Sequence, residues 1–339
     1  MTNTAFDLYC QGEYAKAEEA YRESLSLNPS EPYVHIMIGI CLSSQGKHKE
    51  AIPFLTSAIE LSTDDEACAD AYFEIGGIYY KLDDYAKAEE AYRECLALDP
   101  SDSFVHILLG ISLEQQEKYD ESICCYQRGI ELSTDDEKRA SAHESLGDIY
   151  FDREGWEEAI PFLKSGIELI TDDAERAHAY GILGTAYMQL KDYANTEAAF
   201  QDSLSIDSSE AYFNYMFGGC LVQQERYDEA SSYYQKALDL TTDADAERAR
   251  IYEKLGVAYG KLEDDEKSET AFHESVSLNP SFVGAILNLG MYLAFQGKYD
   301  CAIPYFEKVL EFGNERERSF ASENLEELYA EKEKWEKKL

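Results

Sequence analysis

The chain has 339 residues, of which 45% are hydrophobic and 29% charged, which excludes a disordered polypeptide and leaves ample material for a buried core. Against 30 Lys plus Arg stand 68 Asp plus Glu, a formal net charge of −38. So acidic a surface repels phosphate backbones and anionic lipid, so nucleic-acid binding is not expected. Seven prolines are too few for a loop-rich all-β protein, and no apolar run approaches a membrane span, so membrane insertion is not expected. The acidity would steer basic partners in, and it also serves plain solubility.

The first residues, MTNTAFDLYC, lack a basic segment followed by an apolar core, so no secretory leader is expected. Eight cysteines lie mostly at small-residue positions of helical patterns, without paired CxxC motifs. They read as buried reduced thiols, and the expected location is cytoplasmic.

Further along, the segment YAKAEEAYRE at Tyr14–Glu23 recurs letter for letter at Tyr85–Glu94, 71 residues on, and LSTDDE at 61–66 recurs at 132–137. Each such block divides again. Gly39, Gly76, Gly110, Gly147, Gly184, Gly218, Gly256 and Gly290 follow one another at 34 to 38 residues, each inside a helical pattern. Glycine costs about 1 kcal/mol in a helix, so its recurrence implies close helix approach there. Apolar residues four before, one before and three after each glycine form one face of a helix A. A helix B follows, with a small residue at Ala17, Ala51, Ala88, Ser122, Ala159, Thr196, Ala230, Ser268 and Ala302, and a large one four residues later. Large and small side chains alternate on one face, so neighbouring helices can interlock. No single pair buries its own core, and the pairs must stack.

The glycine of helix A, the small residue of helix B and a spacing near 34 resemble the tetratricopeptide repeat (TPR) family over essentially the whole chain. Its terminal proline is matched only at Pro29, Pro100 and Pro280. The resemblance implies an all-α fold, a right-handed superhelical α-solenoid of antiparallel helix pairs. The expected units are 1–31 (partial), 32–68, 69–102, 103–139, 140–176, 177–210, 211–248, 249–282 and 283–318, with a polar capping helix over 319–339.

Where the proline is missing, LSTDDE, LITDDAER or LTTDADAER adds three or four residues, and helix A should begin one turn early behind an acidic cap. Pro53, Pro161 and Pro304 should sit near the first turn of helix B. The eighth unit, with Asp265 for the aromatic and Ser268 for alanine, should be looser.

No phosphate loop, dinucleotide fingerprint, HExxH helix or serine-nucleophile motif is present. His35, His106 and His143 share one slot, four before the glycine, and read as histidines between helices. Carboxylates spread over solvent-facing or capping positions. The chain is thus expected to have no catalytic residues, no bound metal and no cofactor.

In this family helices A line the concave side. The residues flanking the core stripe are then candidates for a peptide groove, Ile36, Ile40, Phe73, Tyr80, Ile107, Ile111, Tyr215, Leu287 and Met291, with Tyr33, Phe104 and Tyr212 adding aromatic surface near the start of helix A. The isoleucines equally suit packing of one helix A on the next, and the pattern does not decide between these. With scattered cations only, such as Lys81, Arg250 and Lys261, the groove reads as apolar with acidic spots. The expected function is a non-catalytic scaffold binding protein or peptide segments, basic or amphipathic in character. Self-association and service as the binding part of a larger enzyme or complex are the alternatives.

Overall fold

The computed structural model describes residues 2–242 and 244–336, and its regular structure is helical throughout. The chain divides into two compact units, Met1–Thr171 and Asp172–Leu339. In unit 1 the helices run α1 (Thr2–Cys10), α2 (Tyr14–Leu27), α3 (Pro32–Ser44), α4 (His48–Leu61), α5 (Asp65–Lys81), α6 (Tyr85–Leu98), α7 (Ser103–Glu114), α8 (Tyr119–Leu132), α9 (Asp136–Asp152) and α10 (Trp156–Leu169). Unit 2 holds α11 (Asp173–Gln189), α12 (Tyr193–Ile206), α13 (Ala211–Gln223), α14 (Tyr227–Leu240), α15 (Asp245–Lys261), α16 (Asp265–Leu278), α17 (Val283–Phe295), α18 (Tyr299–Phe312) and α19 (Glu315–Glu336).

Within each unit every helix packs on the next. Odd helices also touch the following odd helix, α3 on α5 and α7 on α9 in unit 1, and α11 on α13, α13 on α15 and α15 on α17 in unit 2. The odd helices are the A helices, and they form an inner row. This is the α-solenoid of stacked helix pairs.

The glycine series works as its spacing implies. A β-carbon on Gly76 would stand 2.5 Å from the Tyr92 ring, and one on Gly256 would stand 2.6 Å from the Phe272 ring. Helix A therefore lies directly on the large residue of helix B, 16 positions later. Those large residues are sealed: Tyr21, Tyr92, Tyr126, Phe200, Tyr234 and Phe306 are among the most deeply buried side chains.

Turns from A to B close in one manner. Each holds a residue with φ near +60° to +77°; six of these are not glycine, Asp83, Glu117, Glu154, Lys191, Glu225 and Glu263. The amide that follows bonds back into the helix, as Lys118 N to Leu113 O at 3.0 Å does, which satisfies a carbonyl left open at the helix end.

Helices α5, α9, α11 and α15 have 17 residues, whereas α3, α13 and α17 have 13 and α7 has 12. The extra turn is the early start expected of the proline-less units. Asp135 and Asp172 cap it, accepting from the amides two and three residues on. The last helix starts at Glu315, four residues before its expected start, and residues 337–339 of the expected cap lie outside the described ones.

Four expectations are corrected. The thiols are not all buried: Cys41, Cys95 and Cys220 are, but Cys10, Cys124 and Cys301 are exposed. The eighth unit is not loose: α16 is a 14-residue helix like the other helices α4 to α18 of its kind, capped by Asp264. Ser268 is fully buried and donates to the Gly256 carbonyl at 2.9 Å, as Ser122 donates to Gly110 at 2.8 Å. A hydroxyl thus replaces the alanine methyl without an unmet polar group. Ser268→Ala should lower stability by about 1 kcal/mol, read from urea denaturation, because the bonded carbonyl is left buried. No loss would mean that the bond carries no weight.

Pro53, Pro161 and Pro304 stand six residues into their helices, beyond the first turn. All three are exposed, so the carbonyl that loses its amide partner can turn to water.

Not all carboxylates are solvated. Glu89 is 5% exposed and accepts from Gln116 at 2.9 Å, from Lys118 at 2.8 Å and from Arg93. Glu18 repeats this 71 residues earlier with Gln45, Lys47 and Arg22. Burial alone would raise these carboxyls, but the donors hold both below the ordinary range. They latch one repeat to the turn of the next.

Candidate peptide-binding surface

The inner row of each unit is built from A-helix positions flanking the core stripe. In unit 1, α5 and α7 bring Phe73 and Phe104 together, their ring centroids 6.0 Å apart. Asp102 caps α7 through the amides of Phe104 and Val105 at 2.8 and 3.1 Å, which fixes the start of that helix. Lys138 from α9 lies over the Phe104 ring at 4.6 Å. These side chains, with Asp70 and Asp99, line a cleft of about 600 Å³. Burial first, then Glu66 and Asp64, push the Asp70 carboxyl above its ordinary value.

The same unit carries Glu114, Glu144, Asp148 and Asp152 on α7 and α9. Asp148 is pushed up to about 7, chiefly by burial and then by Glu144, Asp152 and Glu114. Glu114 accepts from the Tyr126 hydroxyl at 2.6 Å. Glu74 is raised by burial, against the opposing pull of Lys81. A partly dehydrated row of carboxyls therefore faces this side, and a cation brought there would find excess negative charge.

In unit 2 the corresponding surface is of another character. Tyr212, 55% exposed, and Tyr215 line a cleft of about 210 Å³ with Glu247 and Arg250 of α15. Arg250 makes no ion pair among the described residues. Leu287 is half-buried within the core of α17, while Met291, one turn on, is 45% exposed.

The expected groove residues thus separate. Phe73 with Phe104, and Tyr212 with Tyr215, are brought together. Tyr33 is 46% exposed in a separate opening beside Phe6 and Glu31. Tyr80 meets Tyr85 edge-on at 5.4 Å and braces the α5–α6 turn. Ile40 and Ile111 are partly buried against the core. Ile36 and Ile107 do not belong to the surface, being only 5% and 3% exposed. Gly129 explains Ile107: a β-carbon there would stand 2.6 Å from the isoleucine, so the side chain fills the space the glycine leaves.

The histidine slot has a task that sequence reasoning missed. His35 and His106 meet the carbonyls of Pro29 and Pro100 at 3.0 and 3.1 Å, and Asn214 in the same slot donates to Ser208 at 3.2 Å. The shared spacing of six residues was the available signal. His143 follows a longer linker, and its Nδ1, like that of His35, has no hydrogen-bond partner among the described residues; burial, with Arg139, holds its pKa below the ordinary value.

Sequence profiles described as tetratricopeptide repeat match residues 1–31, 32–101, 107–174, 177–210, 209–281 and 283–312. The chain belongs to the tetratricopeptide repeat family. Human protein O-mannosyl-transferase TMTC1 is 26% identical over 145 residues, 42% of this chain and 16% of that protein. Tetratricopeptide repeat protein 8 of Caenorhabditis elegans is 30% identical over 118 residues, 35% of this chain and 23% of the relative. The type IV pilus assembly protein PilF of Pseudomonas aeruginosa is 28% identical over 121 residues, 35% of this chain and 47% of that protein. The TPR chain thus spans less than half the length of these relatives.

Among solved structures, the C-terminal part of a TPR repeat-containing protein from Cytophaga hutchinsonii aligns with a TM-score of 0.53 and 17% identity, covering 85% of this chain and 99% of the other. YrrB, described as a TPR protein with an unusual peptide-binding site, aligns at 0.51 and 20% identity, covering 59% of this chain and 97% of its own. At such identities the likeness concerns the fold. No described helix of this TPR chain is long and apolar enough to cross a membrane.

Proposed function

We propose that this TPR chain is a non-catalytic cytoplasmic scaffold that holds an extended or amphipathic segment of a partner protein against its A helices. The observation that carries the reading is the Phe73–Phe104 cleft, where two aromatic rings open between α5 and α7 beside the raised Asp70 carboxyl. Aromatic walls supply apolar contact with few rotors to freeze, and the acidic row favours Lys or Arg on the bound segment. Peptide recognition by YrrB supports the reading by analogy of fold.

An array of amphipathic peptides rich in Lys, probed with the full chain, tests it. The double variant Phe73→Ala, Phe104→Ala should weaken capture at least about 10-fold, in keeping with the weight of buried aromatic anchors. Equal capture by the wild type and the variant would remove the cleft as the binding surface.

A further inference from the structure

Two clefts of unit 1 occupy the same place in their repeats. The Phe73–Phe104 cleft, of about 600 Å³, opens beside the start of α7, and the opening of about 730 Å³ with Phe6 and Tyr33 lies at the start of α3. The far end of each of these helices is tied to the helix B before it. Beyond α7, the Gln116 amide donates to Glu89 at 2.9 Å and to the Tyr85 carbonyl at 3.2 Å, and Lys118 donates to Glu89 at 2.8 Å. Beyond α3, the Gln45 amide donates to Glu18 at 2.8 Å, with Lys47 at 3.6 Å from the same carboxylate.

The seams between these junctions are apolar. Glu18 and Glu89 each follow the small residue of their helix B, and Ile52 and Ile123 stand at that place in α4 and α8. Ile52 packs with Leu82 against the core, and Ile123 is buried. There α3 lies on α5 and α7 on α9. The pair Arg153–Asp120 spans the second of these seams at 2.8 Å, exposed at both ends, and so adds little. Unit 1 therefore alternates apolar seams with polar latches that stand opposite a cleft. Unit 2 departs from this. Glu197 pairs with Arg226 at 2.7 Å, but Gln224, in the place of Gln116, turns to the Cys220 sulfur, and α11 meets α13 directly where Phe213 sits on Gly181.

Leverage links a latch to its cleft. From Gln116 back to Phe104 the chain runs about 18 Å, at 1.5 Å per helical residue, so a turn of about 10° about the latch would carry Phe104 about 3 Å. The Phe73 and Phe104 rings are 6.0 Å apart, and aromatic contact extends over about 4.5–7 Å, so such a turn would part them. Glu89 resists it, being 5% exposed and bonded by Gln116, Lys118 and Arg93 together. A buried polar network that is fully satisfied holds one arrangement.

We propose that the Glu89 latch is the hinge pin of unit 1: α3–α6 and α7–α10 are two rigid blocks, and the bonds from Gln116 and Lys118 to Glu89 fix the angle between them and so the width of the Phe73–Phe104 cleft. The use of that width to hold a partner rests on the scaffold reading; the hinge itself does not. Glu89 acts as a positioning residue, through α7.

Spin labels carried by a keto amino acid, which spares the eight native cysteines, read the angle in the full chain. Ala97, Glu131 and Glu168 are exposed, and each stands one residue before the end of its helix, α6, α8 or α10. The pair at Ala97 and Glu131 spans the hinge, and the pair at Glu131 and Glu168 spans an apolar seam. By double electron–electron resonance, Glu89→Gln should at least about double the width of the first distance distribution and leave the second unchanged. Lys118→Met leaves Glu89 its bonds from Gln116 and Arg93; it should broaden the first distribution less, and it serves if Glu89→Gln does not fold. A first distribution unchanged in both variants, or equal broadening of the two, overturns the hinge. The distances are read without peptide, so the Phe73, Phe104 experiment judges the scaffold reading separately.

Discussion

Gly218→Ala is expected to destabilise the protein by up to about 2 kcal/mol, while Gly219→Ala, the very next residue, should stabilise it by about 0.5–1 kcal/mol. Both changes gain about 1 kcal/mol of helix propensity. They differ in what the new methyl meets. At Gly218 it would stand 2.7, 2.8 and 3.1 Å from ring atoms of Tyr234, a residue only 2% exposed, so the ring must shift to admit it. Forcing a methylene into a packed core costs about 1–3 kcal/mol. At Gly219 the nearest atom is 3.7 Å away, an ordinary contact. Urea denaturation followed by circular dichroism reads both variants. A shift of the same sign for the two would refute the account of the glycine series as ring seats.

That glycine series shows why so much of the fold is legible in the sequence. A residue that weakens an isolated helix persists only where neighbours press on it, so eight glycines in register mark eight contacts with one kind of partner. The long helices α5, α9, α11 and α15 are legible for a related reason, since a missing proline and an added acidic turn both act locally. Depth is another matter. Periodicity says which way Ile36 and Phe73 point, but the size of residues opposite decides burial, and Gly129 beneath Ile107 lies on another helix. Ser268 looked like a defect because its partner, the Gly256 carbonyl, is twelve residues away. Charge is legible only by residue and not by place: the string names Arg250 as a groove cation, but only the fold sets it in one cleft with Glu247 and gathers Asp148, Glu144 and Glu114 in unit 1.

That gathering of carboxyls makes stability depend on pH. Asp148 has its folded pKa raised from 3.8 to about 7, so between about pH 4 and 7 the folded state holds a proton that the unfolded state has released. Stability from this group is therefore greatest below pH 4, falls as pH rises towards 7, and stays low above it. The full shift would correspond to about 4 kcal/mol, at 1.36 kcal/mol for each unit. Because the side chain is only partly buried, solvent reduces this to about 2 kcal/mol. Asp148→Asn keeps the shape and removes the charge, so it should be no more stable than the wild type at pH 4 and about 2 kcal/mol more stable at pH 8, measured by urea denaturation at both. Added salt separates the two causes. Screening weakens repulsion from Glu144, Asp152 and Glu114 but leaves dehydration in place, and since burial is the larger cause, most of the difference should survive 1 M NaCl. A difference that is flat with pH would mean that Asp148 is ionised in the fold from pH 4 upwards. A Lys side chain bound beside it would lower its pKa again, so basic peptides should bind unit 1 more tightly at pH 8 than at pH 5.5, and Asp148→Asn should abolish that gain.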